Sequence, residues 1–167
     1  MVVPYLSDRI ASPRAPTHDE KTQAPHTSLM TPAYLFVYGS LRRNRSGVVH
    51  PLLAGAQHLG DAAVDGTLYK VDWYPGLVLT GNSRVQGELF ELPAARADAM
   101  IAALDAYEGS GYGRETAGVQ LADGRVVASW LYVYLGPTRG LDTIASGNFG
   151  TPSHRAHPDA PPPDDGR

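Results

Sequence analysis

The chain has 167 residues, 43% of them hydrophobic, enough for one domain with a proper core and too few for two of ordinary size. A formal net charge of -3 and a pI near 6.0 exclude a general attraction for nucleic acid or an anionic membrane and leave a small neutral or acidic substrate open. Cysteine is absent, which removes disulfides, thiolate metal sites and a cysteine nucleophile.

No run of apolar residues approaches the length of a membrane span, and the first residues lack the basic, apolar and small-residue order of a signal peptide, so the expected location is cytoplasmic. From Met1 to Pro32, five prolines stand among polar and charged residues with no sustained period. Such a stretch buries too little to offset its ordering entropy and reads as a disordered leader. Met30, just before the first strand candidate, is an alternative natural start to Met1.

The first ordered element is expected at Tyr34–Tyr38, where aromatic and β-branched residues in a short apolar run favour a buried strand. It leads into Gly39-Ser40-Leu41-Arg42-Arg43. Glycine there allows a sharp turn and the close approach of another molecule, and Ser40 is placed to cap whatever begins after Leu41. A strand followed by such a turn makes a concavity of main-chain N–H groups suited to an anionic group such as a carboxylate. Arg42, Arg43 and Arg45 either steer an acidic ligand or form a solvated surface.

Val48–Leu53 is a short helix candidate limited by Pro51. Leu59–Val64 and Gly66–Val71 are strand candidates, the second with alternating apolar and polar residues. Trp73–Leu79 gives a Pro-Gly turn running into a strand. Val85–Leu92 gives another, with Gln86 and Glu88 on the face opposite Val85 and Leu89.

A helix is expected from Pro93 to Tyr107 or Glu108, opened by proline and stopped by Gly109. Ala97, Met100, Ile101 and Leu104 form one apolar stripe, and its next place falls at Tyr107 and Glu108. A carboxyl group on such a stripe, at the negative end of the helix dipole, is pushed toward its neutral form, as a general acid/base at physiological pH requires. The alternative is that Glu108 sits at a frayed helix end, exposed or paired with Arg114. Tyr112–Leu121 and Val126–Leu135 are strands joined through Ala122-Asp123-Gly124-Arg125, a hairpin signal. A looser segment follows to Phe149, and from there to the end proline, aspartate and histidine mark a disordered tail.

His50 and His58 make no metal-ligand spacing with Asp61 or Asp65, so no metal site is expected. Ser40 lacks both a Gly-x-Ser-x-Gly elbow and an evident histidine partner, which speaks against a serine hydrolase.

Taken together, Phe36-Val37-Tyr38-Gly39-Ser40-Leu41, Gly66-Thr67-Leu68-Tyr69, Tyr74-Pro75-Gly76, Val85-Gln86-Gly87-Glu88-Leu89-Phe90 and Leu104-Asp105-Ala106-Tyr107-Glu108-Gly109, followed by Tyr112 and Arg114, resemble the γ-glutamylcyclotransferase-like superfamily, including its γ-glutamylamine cyclotransferase branch. Trp130–Tyr134 and Ile144–Phe149 extend the match, which runs from Tyr34 to about Gly150. The resemblance implies an α+β fold, a small mixed β-barrel flanked by short helices, over residues 33–150. It implies substrate binding by Tyr38, Gly39, Ser40 and Leu41 with Tyr112 nearby, and Glu108 as general acid/base. The implied reaction cyclises the γ-glutamyl group of a small γ-glutamyl amine, amino acid or peptide to 5-oxoproline, with no cofactor. A non-catalytic binding module on the same fold, and a related lyase with a different leaving group, are the competing readings. Asn148-Phe149 departs from the family's usual aspartate-aromatic pair, which bears on local packing or a rim contact. Arg42, Arg43, Arg84 and Arg114 are candidates for meeting an acidic substituent of the substrate.

Overall fold

A computed structural model describes residues 33–150 of the chain. The leader expected over 1–32 and the tail expected over 151–167 lie outside the described residues. Five strands, β1 (Ala33–Val37), β2 (Gln57–Val71), β3 (Tyr74–Leu92), β4 (Tyr112–Leu121) and β5 (Val126–Tyr134), close into a barrel in the order β1-β3-β2-β4-β5. All neighbours are antiparallel except β1 and β5, which meet in parallel at Leu35 and Trp130. The mixed barrel is the expected one. Its single α-helix among the described residues, α1 (Ala97–Glu108), packs on the outside. No helix among the described residues is long and apolar enough to cross a membrane.

Two cores explain why β1 reads as a continuous apolar run. Phe36 and Tyr38 point into the barrel with Val64, Leu77, Leu89 and Leu131. Leu35 and Val37 point outward, into a second core with Phe90, Leu92 and the helix residues Met100, Ile101 and Leu104. A strand buried on both faces has no polar alternation to show. The predicted stripe of α1, Ala97, Met100, Ile101 and Leu104, is the buried face of the helix. Leu104 is wholly buried, and each side chain of that kind contributes about 1.5–3 kcal/mol through apolar burial.

The structure corrects several element boundaries. The helix expected at Val48–Leu53 is a single 3-10 turn, Pro51–Leu53, in which His50 Nδ1 accepts from the Leu52 N–H at 3.3 Å. It cannot lengthen, because the chain turns away through Gly55 at φ 91. The two strand candidates on either side of Asp65 are one strand, β2. The two on either side of Gly81 are likewise one strand, β3, with an excursion where the register jumps so that Gly66 pairs with Ser83 and Thr67 with Val78. Pro75-Gly76 makes no turn. Both residues lie in β3 opposite Lys70 and Tyr69, and the reversal is made by Asp72 and Trp73, with Asp72 at φ 54, a conformation that aspartate tolerates better than most residues.

Helix α1 begins four residues after Pro93. Leu92 is still paired with Ala33, so the chain spends Pro93–Arg96 on a turn, closed by the Arg96 N–H on the Pro93 carbonyl at 2.8 Å, before it becomes helical. Its end is where expected. Gly109 at φ 68 takes the cap, its N–H on the Asp105 carbonyl at 3.2 Å, in a backbone conformation that glycine adopts without steric cost. Beyond β5 the chain runs back along β2 and β3, held by the Ile144 N–H on the Leu68 carbonyl and the Gln86 N–H on the Gly147 carbonyl.

Candidate active site

The end of β1 and the end of α1 meet over one cavity of about 110 Å³, whose lining includes Tyr38, Gly39, Ser40, Leu41, Glu108 and Tyr112. These six, far apart in sequence, are the six expected site residues. The elements explain the convergence. Leu41 is buried in the outer core beneath α1, so the bend after β1 is drawn against the helix, and Gly109 ends the helix just past Glu108.

The bend is a turn and not the start of a helix. The Gly39 carbonyl accepts from the Arg42 N–H at 3.1 Å. Ser40, expected as a cap, instead has its Oγ 3.2 Å from the Tyr107 hydroxyl. Gly39 has no positive φ. Its role is close approach, since a Cβ there would lie 3.0 Å from Pro75 Cγ, tighter than ordinary carbon contacts. Among the described residues the N–H groups of Gly39, Ser40 and Leu41 donate no hydrogen bond, which leaves three adjacent main-chain donors at the cavity for a polar ligand.

Glu108 is partly buried, and burial alone pushes its carboxyl pKa up to about 7. No ion pair of Glu108 occurs among the described residues. Arg114, the partner considered for it, instead places its Nε 3.4 Å from Asp105 Oδ1 and its guanidinium over the Trp130 ring at 4.4 Å. A partly buried carboxyl with no cation beside it is poised to exchange a proton near neutral pH.

The tyrosines form the walls. The Tyr38 hydroxyl donates to the Tyr132 carbonyl at 2.7 Å and accepts from the Leu77 N–H at 3.3 Å, and burial holds its pKa well above the usual phenol range. Tyr38 therefore lines the cavity with its ring while its hydroxyl ties β1 to β5 and β3. The Tyr112 hydroxyl donates to the Pro75 carbonyl at 3.0 Å, and burial likewise raises its pKa. Tyr74, Pro75, Tyr107 and Tyr132 also line the hollow without having been given a site role from the sequence. Tyr74-Pro75 stands inside a motif of the resemblance, and Tyr107 precedes Glu108 on the same stripe. Tyr132 lies in Trp130–Tyr134, which extends the resemblance, but an aromatic in a strand reads as core, and it was given no site role.

The arginines are placed otherwise than the sequence suggested. None of Arg42, Arg43, Arg84 and Arg114 lines the cavity. Arg84 bonds Asp65 and Gln120, and Arg42 and Arg43 turn to Glu88. These four cations are directed at protein acceptors and not at the cavity. No three His, Cys, Asp or Glu side chains among the described residues group so as to hold a metal ion.

Comparison with known proteins places the fold in a family. The model of the gamma-glutamyl cyclotransferase, AIG2-like family matches residues 35–151. The chain belongs to that family. It is 39% identical over 118 residues to the gamma-glutamylcyclotransferase family protein YtfP of Escherichia coli K12, covering 69% of this chain and 94% of that protein. Among solved structures it is similar to YkqA from Bacillus subtilis, with a TM-score of 0.55 and 26% identity over 71% of this chain, spanning 39% of the length of that protein. It is also similar to an AIG2-like protein from Mus musculus, with a TM-score of 0.51 and 25% identity, covering 62% of this chain and 78% of that one. The γ-glutamylcyclotransferase-like barrel thus carries a cavity with one unpaired acid at the end of its helix.

Proposed function

We propose that this protein is a cyclotransferase that releases 5-oxoproline from a small γ-glutamyl amine, amino acid or peptide, with Glu108 as general acid/base. The observation that carries the reading is the single unpaired carboxyl, with a pKa near 7, in the same cavity as the bend Gly39–Leu41. Family membership supports the same chemistry.

In this reading the free N–H groups of Gly39, Ser40 and Leu41 grip the polar groups of the γ-glutamyl moiety and hold it folded on itself. Its α-amino nitrogen attacks its own γ-carbonyl carbon. Glu108, as carboxylate, takes a proton from that nitrogen and delivers it to the leaving nitrogen as the C–N bond breaks. The new ring C–N bond replaces the old one, one proton moves, and no external reactant enters. Holding the two ends of one molecule in register supplies much of the rate, and general acid/base transfer contributes typically about 10²–10⁴-fold more.

The test is a panel of γ-glutamyl amines, amino acids and dipeptides assayed for 5-oxoproline, with Glu108→Gln as control. Turnover of at least one member, lost in the variant while its binding persists, is expected. Near-normal release by Glu108→Gln would remove Glu108 from the mechanism. Binding without release by the unaltered protein would favour a binding module.

A further inference from the structure

Glu88 is the buried carboxylate for which the proposed reaction has no use. It stands on β3 with only 3% of its surface exposed, opposite Val37 in the β1–β3 ladder. Its Oε2 accepts from the Arg43 N–H at 3.1 Å and from Arg43 Nε at 3.3 Å. Arg42 Nε lies 3.7 Å from Oε1 and His58 Nε2 3.7 Å from Oε2. Glu88 does not line the cavity.

The loop that does line it, Tyr38–Leu41, therefore leaves from the backbone partner of Glu88 at Val37 and returns to the side chain of Glu88 through Arg42 and Arg43. One residue closes both ends. We propose that Glu88 is a positioning residue, a clamp that fixes the loop so that the N–H groups of Gly39, Ser40 and Leu41 keep their spacing for the ligand. The ligand named here is the γ-glutamyl group, so this part of the inference rests on the function proposed above.

The need for a carboxylate follows from what surrounds it. The groups within 4 Å of its oxygens are two guanidinium nitrogens and a main-chain N–H, with the imidazole of His58 beside them, while Asp61 is its exposed partner across the β2–β3 ladder. A carboxylate offers two acceptor oxygens, whereas an amide would turn an NH₂ toward at least one guanidinium. Arg42 extends the tie outward, because its Nη1 donates to Asn148 Oδ1 at 2.9 Å, and Asn148 Nδ2 donates to Gln86 Oε1 at 3.3 Å. The segment after β5 thus braces the loop from its far side. Asn148 serves here as a neutral acceptor for that arginine.

The test compares Glu88→Gln and Arg43→Met with the unaltered protein in two readouts. Hydrogen exchange at the Arg43 amide needs no substrate. It should become at least tenfold faster in Glu88→Gln, with amides of the β4–β5 hairpin unchanged. With a substrate that the unaltered protein turns over, KM should rise about tenfold in Glu88→Gln and severalfold in Arg43→Met, while the pH at which the rate rises, set by Glu108, stays in place. Unchanged Arg43 exchange, or an unchanged KM with kcat falling only in step with the folded fraction, would overturn the clamp. Should Glu88→Gln not fold, Arg43→Met decides the matter by the same two measurements. Absence of turnover in the unaltered protein refutes the proposed reaction, and the exchange readout still judges the clamp.

Discussion

The loop Tyr38–Arg43 has a glutamate on either side, and the two are opposites. On the cavity side Glu108 is partly withdrawn from water with no cation beside it, and its pKa is pushed up to about 7. On the barrel-wall side Glu88 is more deeply buried but is met by Arg42, Arg43 and a main-chain N–H. Burial without partners makes a group that trades protons, and burial among donors makes a tie that holds chain in place. In the proposed reading the same chemical group thus separates into chemistry and architecture according to what faces it.

Removing the proposed proton carrier should have the largest effect on that contrast. Glu108→Gln is expected to lower kcat for 5-oxoproline release by about 10³-fold with little loss of stability, read from steady-state rates beside a denaturation curve. Glu88→Ala should do the reverse. It strands two arginines near a buried wall and is expected to cost about 3 kcal/mol or more in a urea titration. A mild stability loss there, or a severe one in Glu108→Gln, would erase the distinction between the two sites.

The pH dependence sharpens it. Between the ordinary carboxyl value of 4.5 and about 7 the folded chain holds a proton on Glu108 that the unfolded chain has lost, so this group makes stability fall as pH rises through that window. Glu108→Gln lacks that slope. The variant should therefore be more stable than the unaltered protein at pH 8, with the difference vanishing near pH 4.5, as melting at the two pH values would show. The rate should rise with pH and level off above about 7, because the carboxylate form takes the first proton. The smallest expected effect is that of Gly39→Ala, whose new Cβ would lie 3.0 Å from Pro75 Cγ and displace the loop by a few tenths of an ångström. About a tenfold loss in kcat/KM is expected, or roughly 1.4 kcal/mol in the barrier.

Much of the candidate site's placement was legible before the fold was known. The stripe Ala97, Met100, Ile101, Leu104 carries the helix register to Glu108, and Gly109 marks the helix end, so an acid on the core side of a helix terminus follows from spacing. Glu88 was harder to see. Alternation in Val85–Leu92 placed it on the face opposite Leu89, which is correct, but gave no sign of what it would meet there. Phe90 and Leu92 on the same face were the available sign that something covers it. The Pro75-Gly76 turn failed for a related reason: a local turn signal is overridden when both residues are wanted in a long ladder, and Asp72 accepted the reversal instead.

By itself the sequence determined the periodic elements, the bend at Gly39 and the acid after the helix stripe, because each is set by interactions within a few residues. Only the tertiary structure decided that the bend and the acid share one cavity, that Arg42 and Arg43 serve Glu88, and that Arg114 serves Asp105. Those pairings join residues from 9 to 69 positions apart, and which donor finds which acceptor across such distances depends on how the barrel closes.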